Sequence, residues 1–99
     1  MAKRALHPGE ILKRDFLDGL GVSQYRLAVD IEGPPRRINE IVRGLRGITA
    51  DTALRFARYF RTTPQFWLNL QMRFDLEAAE ERLGVRIKRI KVRRGGGSS

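Results

Sequence analysis

Apolar residues recur along this chain in five runs of helical period, each opened by a capping or first-turn residue. In "HPGEILKRDFLDGLG", Ile11, Leu12, Phe16 and Leu20 share one face. Pro8 suits the first turn, where its missing N–H has no partner to lose. Glu10 complements the helix dipole there, and Gly19 and Gly21 end the helix. In "VSQYRLAVDIEG", Ser23 is an N-cap, Leu27, Ala28 and Ile31 form the stripe, and Gly33 ends a helix of about two turns. "PPRRINEIVRG" follows at once. Pro34 and Pro35 fit only a helix start, Ile38, Ile41 and Val42 point one way, and Gly44 takes the position after the C-cap.

The fourth run, "LRGITADTALRFARYF", is capped by Thr49 and turns Ala53, Leu54, Ala57 and Phe60 inward. The fifth and longest, "TTPQFWLNLQMRFDLEAAEERLG", is capped by Thr63 with Pro64 at its first position. It is apolar on two faces: Phe66, Trp67, Leu70 and Phe74 on one, Leu68, Met72, Leu76 and Ala79 on the other. Such a helix needs two surfaces to bury against, its own core and, on the second face, a second copy of the chain. After Gly84 the pattern changes. Val85, Ile87, Ile90 and Val92 interleave with Arg and Lys, and this β-branched enrichment predicts a short strand. The expected architecture is all-α, five helices with a short C-terminal β-strand. Residues 1–82 form the folded domain, 83–94 a basic extension that pairs across a dimer, and 95–99, "GGGSS", a flexible tail.

Helices two and three are joined by a very short turn, the helix-turn-helix arrangement whose second helix can enter a DNA major groove. The outward face of helix three offers Arg36, Asn39, Glu40 and Arg43, with Arg37 on the flank. Arg can pair bidentately with guanine O6 and N7, and Asn with adenine N6 and N7. Ser23 and the N–H groups opening helix two, with Gln24, can hold a phosphate. The bland alternative is an amphipathic helix whose arginines face water; the tight turn and flanking helices favour the groove reader. Glu40 has three readings: acceptor from cytosine N4, restraint on Arg36 four residues earlier, or a repeller of phosphate.

Charge refines this picture. The 99 residues carry a net charge of +9. Residues 1–81 hold 13 Lys or Arg against all 11 acids, whereas 82–99 hold seven cations and no acid. The basicity is a property of the C-terminal end, so it is not by itself an argument for a DNA-binding fold. That end is either a basic strand of a dimer or a source of non-specific attraction. There is no cysteine and a single histidine, His7, which reads as a cap or turn residue beside Pro8; no metal, cofactor or catalytic constellation suggests itself. Asp75, Glu77, Glu80 and Glu81 read as an exposed acidic face. No apolar run reaches the roughly 20 residues of a membrane helix, no signal peptide opens the chain, and the expected location is cytoplasmic.

"HPGEIL", "VSQYRLA", "PPRRINEIVRGLRGITADTALRFARYF" and "TPQFWLNLQMRFDLE" together resemble the HigA, or VapI-type, antitoxins of toxin–antitoxin (plasmid-maintenance) modules, within the lambda-repressor-like helix-turn-helix class. The resemblance runs from about His7 to Glu77. It implies a non-enzymatic homodimer that represses its own operon by binding operator double-stranded DNA and that neutralises a small basic toxin of the HigB/RelE type, which cleaves mRNA. It places Ser23 and Gln24 at phosphate and Arg36, Arg37, Asn39 and Arg43 at the groove. It places dimer contacts on helix five and the following strand, through Leu68, Met72, Leu76, Ile87 and Ile90. The family commonly has glycine between helices two and three, where this chain has Glu32 followed by Gly33, so the turn is expected to shift by one residue. The alternative function is a solitary helix-turn-helix repressor without a toxin. A toxin-like ribonuclease, also small and basic, would need a β-rich fold, against five capped helices.

Overall fold

Each predicted cap forms. In the computed structural model, which describes residues 4–94, Ser23 Oγ accepts from Arg26 N, Thr49 Oγ1 from Thr52 N and Thr63 Oγ1 from Phe66 N. Five helices follow among the described residues. α1 has three joined segments, Pro8–Ile11, Leu12–Leu17 and Asp18–Leu20; α2 is Gln24–Asp30, α3 Pro35–Val42, α4 Ala50–Phe60 and α5 Pro64–Lys88.

The core is built from one side of every helix. Leu12, Leu17, Leu27, Ala28, Ile38, Ile41, Ala53 and Phe56 are buried around Trp67, whose indole N–H donates to Thr62 Oγ1 at 2.8 Å. Phe16 and Phe56 flank its rings at 4.9 and 5.0 Å between centroids. The indole therefore loses no hydrogen bond on burial, which is what allows the largest apolar surface in the chain to sit at the centre.

Four details correct the sequence expectation. In α1 the middle segment is π-helical, with Asp18 N–H donating back to Lys13 O. Each such turn spans five residues instead of four, so Leu17 lies under Leu12 and is buried, while Leu20 is turned to solvent, 62% exposed. Gly19 lies inside the last turn; Gly21, at φ 67, is the terminating residue. In α4, Leu54 is exposed and Phe56 takes the core position that the apolar count assigned to Leu54.

The turn between α2 and α3 is not shifted. Glu32 itself adopts φ 60, its N–H bonding Val29 O while Gly33 N–H bonds Ala28 O. This is the pair of backbone bonds that a glycine-terminated helix makes, here with glutamate in the left-handed position. Gly33 follows with no positive φ, so α3 keeps the register read from its apolar stripe.

The strand expected over Val85–Val92 does not form; α5 runs on through Gly84 to Lys88, and no strand occurs among the described residues. A lone strand would leave its backbone groups without a ladder partner, whereas the helix bonds its own and gains from Arg86 and Lys88 at its C-terminal end. At 25 residues α5 is about 37 Å long. Its second half leaves the body of the fold; near the helix middle Glu77 accepts from the Ala5 N–H and Glu81 pairs with Arg4. The extents are accordingly 54 × 30 × 21 Å. The 95–99 tail lies outside the described residues.

Candidate nucleic-acid interface

α3 begins at Pro35, with Pro34 as the extended residue before it, and buries Ile38 and Ile41 with Val42 packed beside them. Gly44, at φ 76, ends it. Anchored on that side, the helix turns Arg36, Asn39 and Arg43 to solvent. Asn39 Nδ2 donates to Gln24 Oε1 at 3.3 Å, so the first residue of α2 and the middle of α3 form one polar ridge. Ser23 spends its lone pair on the Arg26 N–H, 3.0 Å away, and keeps its hydroxyl proton for another acceptor. Among the described residues Arg43 has no ion-pair partner, while Arg37 is half-withdrawn and reaches Asp51 on α4 at 3.5 Å.

Glu40 is fixed by two arginines. Arg36 Nε donates to Oε2 at 3.0 Å and Arg46 Nε to Oε1 at 2.9 Å. The Arg46 and Arg36 hydrogen bonds hold the Glu40 carboxyl below the usual range, against a smaller opposing effect of desolvation. Of the three readings of this residue, restraint of Arg36 is the one formed.

The structure thus brings Ser23, Gln24, Arg36, Asn39 and Arg43 onto one continuous face, with Arg37 at its edge. The apolar residues assigned to a dimer divide. Leu68 packs against the chain's own core, while Met72, Leu76, Ile87 and Ile90 are exposed. Met72, Leu76 and Ile87 lie on one long helix and Ile90 just past its end, not on a helix plus a strand.

Several further residues hold this face: His7 is the cap expected beside Pro8, whereas Gly9, Arg55 and Gln71 were given no role by sequence reasoning. His7 Nδ1 accepts from Gly9 N–H at 2.9 Å and caps α1, while its ring meets Phe74 edge-on at 4.9 Å. Burial pushes its pKa below 6.5, opposed by Glu10 and Asp75. Gly9 packs directly on the end of α3: a Cβ there would lie 1.8 Å from Ile41 O. Arg55 Nη1 donates to Ile31 O at 2.7 Å and to Glu32 O at 3.4 Å, and its Nε to Asp51 at 2.7 Å. It satisfies the carbonyls at the strained turn. Gln71 Oε1 accepts from Ile48 N–H at 2.7 Å and touches Gly47, fixing the loop that leaves α3. The signal for these residues was present. Gly9, Arg55 and Gln71 lie inside "HPGEIL", "TALR" and "FWLNLQ", stretches whose joint spacing marked the chain.

No family model matches the chain. Individual proteins do. It is 54% identical over 77 residues to virulence-associated protein I of Dichelobacter nodosus, covering 78% of this chain and 71% of that one. It is 30% identical over 89 residues to antitoxin HigA-1 of Vibrio cholerae, covering 90% and 84%. It superposes on the Pseudomonas aeruginosa antitoxin HigA, solved with the higBA promoter, with a TM-score of 0.86 and 43% identity, covering 89% and 97%. With the same helices in the same order and these identities along nearly the whole length, the chain belongs to the HigA family of helix-turn-helix antitoxins.

Proposed function

We propose that this protein is an antitoxin that binds operator DNA as a dimer, represses its own operon and neutralises a small basic RelE-like toxin. The observation that carries the DNA-binding part is the single face formed by Ser23, Gln24, Arg36, Asn39 and Arg43 on a helix anchored by its opposite side. The P. aeruginosa relative, solved with its promoter, supports the same use of the fold. In this reading α3 lies in the major groove. Arg36 and Arg43 present donors to guanine O6 and N7, and Asn39, oriented by Gln24, reads adenine. The Ser23 hydroxyl and the Gln24 amide donate to phosphate and set the docking position. Arg37, tied to Asp51, holds α3 against α4 and borders the phosphate backbone.

Dimerisation follows from α5. Met72, Leu76 and Ile87 expose an apolar stripe on a helix that extends away from the body of the fold, with Ile90 exposed just past its end. A second copy covers such a stripe, and two copies place two recognition helices on half-sites about one DNA turn, roughly 34 Å, apart.

The test is fluorescence anisotropy with a labelled duplex from immediately upstream of the protein's own gene. Binding should weaken steeply with salt, and Arg36→Ala or Asn39→Ala should each cost about 1–3 kcal/mol and alter base preference. No binding at low salt, or binding indifferent to both substitutions, refutes the assignment of α3. For the toxin part, co-expression with the neighbouring reading frame should give a co-purifying complex and relieve growth arrest. Failure of both leaves the solitary repressor.

A further inference from the structure

Glu40 sits in the middle of the helix assigned to DNA, where a carboxylate opposes phosphate. Its two oxygens are both occupied, Oε2 by Arg36 and Oε1 by Arg46. On each arginine the engaged atom is Nε. Among the described residues neither arginine bonds a protein group through its terminal nitrogens. The Nη pair is the fork that matches guanine O6 and N7 or a phosphate. Arg36 carries that fork on a side chain 86% exposed, whereas the carboxylate that holds it is only 21% exposed.

We propose that Glu40 is a positioning residue that sets DNA specificity, by holding Arg36 and Arg46 at their Nε atoms with both forks free for the operator. The proposal rests on the reading of α3 as the recognition helix. Two consequences follow. At the operator, the arginines keep their bonds to Glu40 and use only their forks, so rotamer freedom already lost in the free protein is not lost on binding. On random duplex, phosphate is the main attraction. There the arginines already have an anionic partner, and moving them wholly to phosphate strands the Glu40 charge against the DNA. Glu40 therefore favours the operator and disfavours other DNA.

The test compares the upstream promoter duplex with a scrambled duplex of equal length and composition, by anisotropy across a salt series, with circular dichroism confirming the fold of each variant. Glu40→Gln keeps the shape and removes the charge. Promoter affinity should fall about three- to tenfold. Scrambled-duplex affinity should rise, its salt dependence steepening by about one unit of slope for each freed arginine. Glu40→Asp keeps the charge but shortens the reach, so it cannot hold both arginines. It should lower the promoter-to-scrambled ratio in the same direction. A ratio unchanged in Glu40→Gln, or lowered there but wild-type in Glu40→Asp, overturns the positioning role. In the second case the charge alone acts. A wild-type protein that does not distinguish the two duplexes overturns the assignment of α3, a separate failure.

Discussion

Gly9→Ala and Gly19→Ala form a pair whose signs should be opposite. Both glycines lie in α1, and in an unobstructed helix interior alanine is favoured over glycine by about 1 kcal/mol. A Cβ at Gly19 would have no neighbour within 4 Å, so Gly19→Ala should stabilise by about 0.5–1 kcal/mol. A Cβ at Gly9 would lie 1.8 Å from Ile41 O, 2.7 Å from Ile41 C and 3.0 Å from Val42 Cα. Those atoms are backbone at the end of α3 and cannot swing aside as a side chain would. α1 and α3 must separate.

Inserting a methyl into such a contact costs about 3 kcal/mol, the upper part of the range for overpacking. Against the helix-propensity gain this leaves a net destabilisation of about 2 kcal/mol. For a domain of this size that is a fall in Tm of roughly 8–16 °C, against a rise for Gly19→Ala. Thermal melts by circular dichroism at equal protein concentration read both. Because the strain enters at Ile41, Gly9→Ala should also weaken promoter binding although Gly9 faces no DNA. A Tm raised by both substitutions would show that α1 and α3 do not approach as described.

Three further outcomes follow. Glu32→Gly removes a left-handed non-glycine residue, a cost of about 1–2 kcal/mol offset by glycine's greater chain entropy. A net gain of about 0.5–1 kcal/mol is expected in urea denaturation, and an unchanged midpoint refutes the strain at that turn. His7 has a folded-state pKa depressed by burial, so between that value and the ordinary 6.5 the unfolded chain binds more protons. Stability should be full above about pH 6.5, fall as pH drops through it, and level off below the folded value. With one histidine in the chain, His7→Asn should flatten Tm across that window, and a persistent slope assigns it elsewhere. Leu76→Asp with Ile87→Asp alters two exposed positions of α5, so the fold should persist by circular dichroism while sedimentation shows a monomer. A dimer that survives moves the interface off this stripe.

What the sequence made legible was local. Caps at Ser23, Thr49 and Thr63 and the prolines opening α1, α3 and α5 need only neighbours in the chain, and all of them form. The inward face of α3 was legible for the same reason, a strict i, i+3, i+4 stripe in an uninterrupted helix. Leu20 reads as inward and Leu17 escapes the stripe because π-helical turns change the period on which the face rests. The left-handed residues Glu32 and Arg61 were hidden because the signal for that conformation is glycine. The end of α5 read as a strand because β-branched residues are common to both states, and nothing local shows that no second strand is present to pair with it. Arg55 and Gln71 acquire their roles only through partners 24 and 23 residues away, which no periodicity displays.

The eight residues of α3 are too few to hold a helix in water alone. Its geometry comes from contacts its own sequence does not contain. Gly9 admits α1 against its C-terminal turn, Arg55 closes the carbonyls of the turn before it, Gln71 pins the loop after it, and Asp51 steadies Arg37 along its side. Glu40 apart, which holds Arg36 from within α3, the DNA-facing residues and the residues that aim the helix as a whole therefore occupy different helices. Substitutions of the first kind should change which bases are preferred. Substitutions of the second kind should weaken binding to every sequence together, because they move the whole ridge without altering its donors and acceptors. A binding profile over many duplexes separates the two. It makes "RRINEIVR" the carrier of preference, and "HPGE", "TALR" and "LNLQ" the carriers of its orientation.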